Sequence, residues 1–302
     1  MMMGNNRHSS GVFATARVLL FALAMMPVVT TAAQSDTVSP DSEAEDSVLM
    51  GAGAHFAWIL FDAIKTDLEA KTGRKTILFG ENSMLGVGCN AGIKAAKQGT
   101  KSRETFGFVC CPLSEEEVEK EQLIVYPLAK EPILILAHKD NPIDDLSSDQ
   151  VRAIFRGELD NWSQLNGPDK PIVVVTRLHC KNRPGHWKTI LPNKKAFRQE
   201  RLNVKSAAAM VQRVNDFSGA IGHTGATWEF SAEDKVKVLT VNGIKPTAQN
   251  LANGRYLFYR QLSAITNRQP SPDVVKLIKE TQSGKAFREV AKRYELLPLK
   301  PQ

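Results

Sequence analysis

Residues Asn141 to Arg177 read NPIDDLSSDQVRAIFRGELDNWSQLNGPDKPIVVVTR. The Asn-Pro step turns the chain into an Asp- and Ser-rich cap. Val151, Ile154 and Phe155 then recur at the spacing of one helix face. Gly157 closes that helix, Trp162 anchors the loop beyond it, and Asn166-Gly167-Pro168-Asp169 turns the chain again. An apolar strand over Ile172 to Val175 delivers Arg177 to its C-terminal end, the edge at which open α/β sheets gather ligands.

The same alternation runs outward from this stretch. Upstream, a short strand at Val48–Leu49 precedes Gly51-Ala52-Gly53-Ala54. An amphipathic helix carrying Phe56, Leu60, Ile64 and Leu68 follows and stops at Gly73. Thr76–Phe79 reads as a strand, Asn90–Gln98 as a helix, Phe106–Val109 as a strand, and Pro132–His138 as a long apolar strand. Downstream, helices are expected near 184–191, 193–200 and 206–214. Then come a buried Gly219–Gly222 turn-strand, a strand at 236–241, a long strand from Tyr256 to Thr266, and helices at 271–282 and 284–294. Two long apolar strands in a β/α alternation predict two lobes with a cleft between them.

The 302 residues suffice for two lobes. Residues 1–33 have Arg7 and Arg17, an apolar run from Val18 to Thr30, and small residues Thr31-Ala32-Ala33. This is the pattern of a cleavable signal peptide. Residues 34–47, with five acids and no large apolar side chain, read as a flexible acidic leader. The first cysteine is Cys89, so no lipid-anchor acceptor lies near the cleavage point, and an exported periplasmic protein is expected. Beyond the leader the chain carries 37 Lys+Arg against 27 Asp+Glu, a balance that steers small anions. No arginine-rich helix, stacking motif or zinc-finger spacing points to nucleic acid.

Several motifs give the chain a family. The cap, the Ile154-Phe155-x-Gly157 step, Asn161-Trp162 and Pro171-Ile-x-Val-x-x-Arg177 resemble the second lobe of bacterial phosphate-binding (PstS-like) proteins. Gly219-Ala-Ile-Gly222 and Asn242-Gly243-Ile244-Lys245-Pro246-Thr247, followed by Gly254-Arg255-Tyr256, continue the resemblance in the right order. It runs from about Val48 to Tyr294 and implies a type II periplasmic binding protein: α/β, two-lobed, with a ligand cleft between lobes. On that basis 48–135 with 242–302 form lobe 1, and 136–241 form lobe 2. The resemblance further implies a monomer without cofactor that is not an enzyme, a small anionic solute, and a membrane permease or sensor kinase as partner.

In that family an oxyanion is held by backbone N–H groups at helix starts, by Ser/Thr hydroxyls, by an Arg and by an Asp. The first loop corresponds here to Gly51-Ala52-Gly53-Ala54-His55, with His55 in place of a threonine. The second corresponds to Gly86–Lys94, with Cys89 in place of the ligand serine and Asn90 beside it. The third, ending in Asp, becomes Phe106–Leu113 and puts Cys110 at the acidic position. The fourth becomes Arg177-Leu178-His179-Cys180-Lys181-Asn182-Arg183, where only the arginine is kept. The resemblance thus implies Ala54, His55, Cys89, Asn90, Cys110, Arg177, Lys181, Asn182 and Arg183 as ligand-binding. The loss of the hydroxyls and the Asp moves the site away from phosphate specificity.

The four cysteines leave three readings open. One is disulfides, Cys89 with Cys110 or Cys111 and Cys180 between lobes, if Cα atoms approach within about 7 Å. A second is coordination of a copper-, zinc- or arsenite-like soft ion, sensed or delivered rather than imported, by His55, Cys89, Cys110, Cys111, His179 and Cys180. The third is an anion held by Arg177, Lys181, Arg183 and backbone N–H groups. A partner-binding protein with a non-functional cleft is a further alternative. His186 is within reach of the cleft, whereas His138, His223, Trp162 and Trp187 read as structural.

Overall fold

A computed structural model describes residues 48–79, 88–100, 103–180, 183, 185–227 and 236–301. The expected signal peptide (1–33) and leader (34–47), and the candidate ligands Lys181 and Asn182, lie outside these residues. β1 (Leu49–Gly53), α1 (Phe56–Thr72), β2 (Thr76–Phe79), α2 (Gly88–Gln98) and β3 (Thr105–Val109) follow one another. The three strands pair in parallel with β1 in the middle. α1 buries Phe56, Leu60, Ile64 and Leu68, the expected face, and Gly73 caps it at φ 72°. Next comes α3 (Glu115–Lys120), which buries nothing and is capped by Ser114. With Val118 its single apolar residue, it shows no hydrophobic period to read.

β4 (Leu123–His138) is sixteen residues long and starts nine residues before the strand expected at Pro132. Beyond it lie β5 (Asp145–Leu146), α4 (Ser148–Arg156), β6 (Val173–Thr176), β7 (Leu202–Asn203), α5 (Ala207–Asp216), β8 (Ala220–Gly225) and β9 (Val236–Val241). The chain closes this order with α6 (Ala248–Ala252), β10 (Tyr259–Asn267), α7 (Pro272–Ser283), α8 (Lys285–Arg293) and β11 (Leu297–Pro298). α4 carries the full capping box, Ser147 with Gln150, and ends at Gly157 with φ 87°. The helices expected near 184–191 and 193–200 are single 3-10 turns, His186–Thr189 and Lys194–Ala196. Gly185 and Pro192 interrupt the backbone on either side of the first.

The first ten residues of β4 pair antiparallel with β10, and its last six pair with β8 and β9. One strand therefore serves two cores. Leu128 and Ala129 pack with Phe56, Phe61, Phe106 and Phe108 in the first. Ile133, Ile135 and Ala137 face α4, Trp162 and Tyr256 in the second, while Leu134 and Leu136, on the opposite face of the strand, join Val175, Met210 and Val214 in a smaller third cluster under α5. Alternate residues are buried on both faces, which is why this segment reads as an unbroken apolar run. Leu251, Tyr256 and Phe258 also pack in the second core, and the chain returns to the first along β10. No helix among the described residues is long and apolar enough to cross a membrane.

α2 lies directly on β3. A Cβ on Gly107 would stand 2.0 Å from the carbonyl oxygen of Gly92, so only two glycines allow the helix this close. Gly107→Ala should displace α2 and cost about 1–3 kcal/mol or more, the usual range for overpacking. A urea denaturation midpoint equal to that of the parent would refute this account of the contact.

Candidate functional site

Three helix starts converge on one cavity of about 60 Å³. Ala54, His55 and Phe56 come from the start of α1, Gly88 and Cys89 from α2, and Ala207 from α5. Helix starts expose unpaired N–H groups and the positive end of the helix dipole. Two guanidinium groups add to this field: Arg177, just past β6, and Arg260, on β10. No carboxylate lines the cavity among the described residues. Burial, and then the charge of Arg260, push the pKa of Arg177 down. Arg177 donates through Nε to the Lys205 carbonyl at 3.3 Å, which holds its stem along the cavity wall.

Arg260 is differently placed. It stands opposite Glu131 in the β4–β10 ladder and forms a buried ion pair with it. Glu131, fully buried, also accepts hydrogen bonds from the backbone N–H of Thr227 at 2.7 Å and from the Thr227 hydroxyl. Arg260 Nη1 lies 3.3 Å from His186 Nδ1, and His186 Nε2 lies 3.0 Å from His223 Nδ1. Because arginine only donates, this order assigns the proton of each neutral imidazole to Nε2. Burial holds His223 down at about 3 and His186 well below its ordinary value. Burial, with Arg177 and Arg260 adding repulsion, lowers His55 to about 4.

The cysteines divide into two pairs. Cys111 and Cys180 form a disulfide with Cα atoms 7.4 Å apart, and Cys89 and Cys110 are free and buried. The sulfurs of Cys89 and Cys110 are 3.7 Å apart, and the Cys110 backbone N–H donates to the Cys89 sulfur at 3.3 Å. These bonds pull the Cys89 thiol down and push Cys110 up, which makes Cys89, at the start of α2, the more acidic thiol of the pair. The sulfurs of Cys89, Cys110 and Cys111 all lie within 4.8 Å of one another. The same holds for the ligand atoms of Cys111, His179 and Cys180.

The profile of the PBP superfamily domain matches residues 37–290. The chain belongs to this family. Similar curated proteins include the phosphate-binding protein PstS of Bacillus subtilis, 29% identical over 143 residues (47% of this chain, 46% of that one). PstS of Borreliella burgdorferi is 26% identical over 168 residues (52% and 59%). The chain spans about half the length of the curated relatives it matches. Among solved structures, a substrate-binding protein of Clostridium perfringens with bound phosphate superposes with a TM-score of 0.70 at 22% identity. That match covers 84% of this chain and 100% of that one. An ABC-type phosphate transport receptor of Vibrio cholerae gives 0.62 at 19% (84% and 100%). These likenesses show the two-lobed α/β fold of the phosphate-binding type.

Within that fold, Ala54, His55, Cys89, Cys110 and Arg177 line the cavity, as do His179 and Cys180. Two expected ligands do not. Arg183 donates through Nε to Glu117 on α3 at 2.6 Å and through Nη1 to Asn90, so each of Asn90 and Arg183 is taken by the other outside the cavity. The soft-ion set is not one group of free ligands. Cys111 and Cys180 are bonded to each other, and His55 belongs to neither cluster. Sequence reading missed Arg260, Glu131 and Thr227. An isolated Glu and an isolated Arg inside two apolar strands were the available signal, since a charge in such a strand needs a partner. Trp162 and Trp187 are packed, donating from Nε1 to the carbonyls of Gly219 (2.9 Å) and His179 (2.8 Å).

Two outcomes follow from the buried network. Removing the charge in Glu131→Gln leaves Arg260 buried without its counter-ion, an effect of about 3–5 kcal/mol. A melting temperature within a degree of the parent would contradict it. His186 and His223 are neutral when folded but protonate below about 6.5 when unfolded, so the unfolded state gains protons as pH falls. Their stabilisation is complete above about pH 6.5 and is lost on acidification, at up to about 1.4 kcal/mol per pH unit for each. Melting temperature measured from pH 7 to pH 4.5 should therefore fall, and His223→Gln should reduce the slope.

Proposed function

We propose that this chain is an exported binding protein that closes its two lobes over a small oxyanion, for delivery to a membrane permease or a sensor kinase. The observation that carries this reading is the meeting of three helix starts and two arginines in a cavity that no carboxylate lines among the described residues. Each element favours negative charge, and together they outweigh any single residue exchange in the motifs. Size supports the same ligand class. About 60 Å³ suits a small ion, against about 300–1,000 Å³ for sites that enclose drug-sized molecules. β4 and β10 are the proposed crossings, and the lobe bounds shift from those expected: the first lobe takes its core from residues 49–129 with 262–296, and the second from 133–258. Residues 1–33 supply the export signal in this reading.

The lining also bears on which oxyanion. Cys110 stands where the phosphate-binding family has an Asp that accepts the proton of its ligand. A fully deprotonated anion such as sulfate loses nothing by that exchange, and phosphate loses an acceptor. Calorimetry should give saturable binding of at least one of phosphate, sulfate and arsenate, with sulfate not weaker than phosphate. Arg177→Lys should weaken the best of them about tenfold or more, because an ammonium cannot form the planar two-point contact. No heat with any of the three, in both oxidised and reduced protein, would overturn the reading.

A further inference from the structure

The cysteine arrangement has a chemical capacity that an anion site does not need. Cys111 stands two residues past β3, which pairs with β1 and β10 beside the first core. Cys180 follows β6, whose Val174 and Val175 pack with the second and third apolar clusters. Their bond therefore ties one lobe to the other across the cavity, at a sequence separation of 69. Cys180 leans against the first core to make it, with a backbone φ of 58°, a left-handed conformation that a residue with a side chain rarely adopts. The free thiols Cys89 and Cys110 both belong to the first lobe, on α2 and at the end of β3. Their sulfurs lie within 4.8 Å of that of Cys111. A disulfide with a dithiol in reach can exchange partners.

We propose that the four cysteines form a thiol–disulfide exchange site that latches the cleft, with the bond alternating between Cys111–Cys180 across the lobes and Cys89–Cys110 within the first lobe. In the first step the Cys89 thiolate attacks Cys111 Sγ. A Cys89–Cys111 bond forms, the Cys111–Cys180 bond breaks, and Cys180 leaves as the thiolate. In the second step Cys110, giving up its proton, attacks Cys89 Sγ. The Cys89–Cys110 bond forms, the Cys89–Cys111 bond breaks, and Cys111 leaves as the thiolate. The released thiolates take up the protons given up by Cys89 and Cys110. One disulfide and two thiols are present before and after, so the isomerisation consumes neither oxidant nor reductant.

Each partner is placed for its part. Cys89 is the attacking sulfur because it sits at a helix start and accepts from Cys110. His179, with a ring nitrogen within 4.8 Å of the Cys111 and Cys180 sulfurs, is the group beside the departing thiolate. After exchange, no disulfide joins the lobes, and the crossing contacts of Arg183 with Glu117 and Asn90 can break and re-form. The cleft would thus exchange its solute freely in one state and slowly in the other. That consequence rests on the oxyanion reading; the exchange itself does not.

The test separates the two. Reduced protein is reoxidised with one equivalent of oxidised glutathione per chain, quenched in acid with a maleimide, and its disulfides mapped by mass spectrometry. The parent should show both Cys111–Cys180 and Cys89–Cys110, with two free thiols per chain throughout. Cys89→Ser should show Cys111–Cys180 alone, and Cys180→Ser should show Cys89–Cys110. Phosphate or sulfate release, followed by stopped flow, should be roughly tenfold or more slower from Cys89→Ser than from Cys180→Ser, the difference vanishing on reduction. A single fixed pairing in the parent, or four unreacted thiols, overturns the latch without reference to any ligand. Equal release rates from two correctly paired variants overturn the claim that the bond governs the cleft. Absence of anion binding with both pairings present overturns the oxyanion reading alone.

Discussion

Glu131 and Arg260 are opposite charges buried on neighbouring strands at the point where β4 and β10 pass between the two cores. An unpaired charge at such depth is costly, so the pair fixes which residues of the two strands face each other. The surroundings are shaped to it. A Cβ on Gly225 would come within 2.6 Å of Glu131 Oε1 and 2.7 Å of an Arg260 nitrogen, so β8 can pass only as glycine. Thr227 turns both its donors to the carboxylate, and Arg260 continues into His186 and His223. This network fixes the join between the lobes and aims a guanidinium into the cavity between them.

From that join the chemistry of the cavity follows. Glu131 offsets much of the charge of Arg260, whereas Arg177 faces the cavity with only a carbonyl bonded to it in the described contacts. The helix starts of α1, α2 and α5 supply donors that depend on backbone alone. The positive character of the site therefore does not rest on side chains alone. Backbone donors survive any substitution that preserves the helix start, and hydroxyl or carboxylate ligands do not.

The exchanged side chains are not scattered. Cys89 and Cys110 meet at 3.7 Å, and the sulfurs of Cys111 and Cys180 are bonded across the cleft. A solute-binding fold normally joins its lobes by strands that flex. Here a covalent bond and the Arg183 contacts with Glu117 and Asn90 also cross. A bond at that place restrains any motion of one lobe against the other.

Local chemistry made much of the fold legible in advance. The capping box of α4, the Gly73 and Gly157 stops, the C-terminal helices α7 and α8, and the arrival of Arg177 at a strand end are each written in neighbouring residues. Motif order placed Ala54, His55, Cys89 and Cys110 around one cavity for the same reason. The polar helix α3 and the short 3-10 turns escaped because periodicity reports burial, and those segments bury little or are too short to show a period. Tertiary structure alone decided the rest: Glu131 with Arg260, 129 residues apart, Arg183 turned to Asn90 and Glu117, and Cys111 joined to Cys180 and not to a lobe-1 thiol. A helix start or a turn is specified by residues within a few positions of it. The choice of partner for a buried charge or a thiol is set by which groups the packed lobes bring within about 4 Å, and no local pattern records that distance.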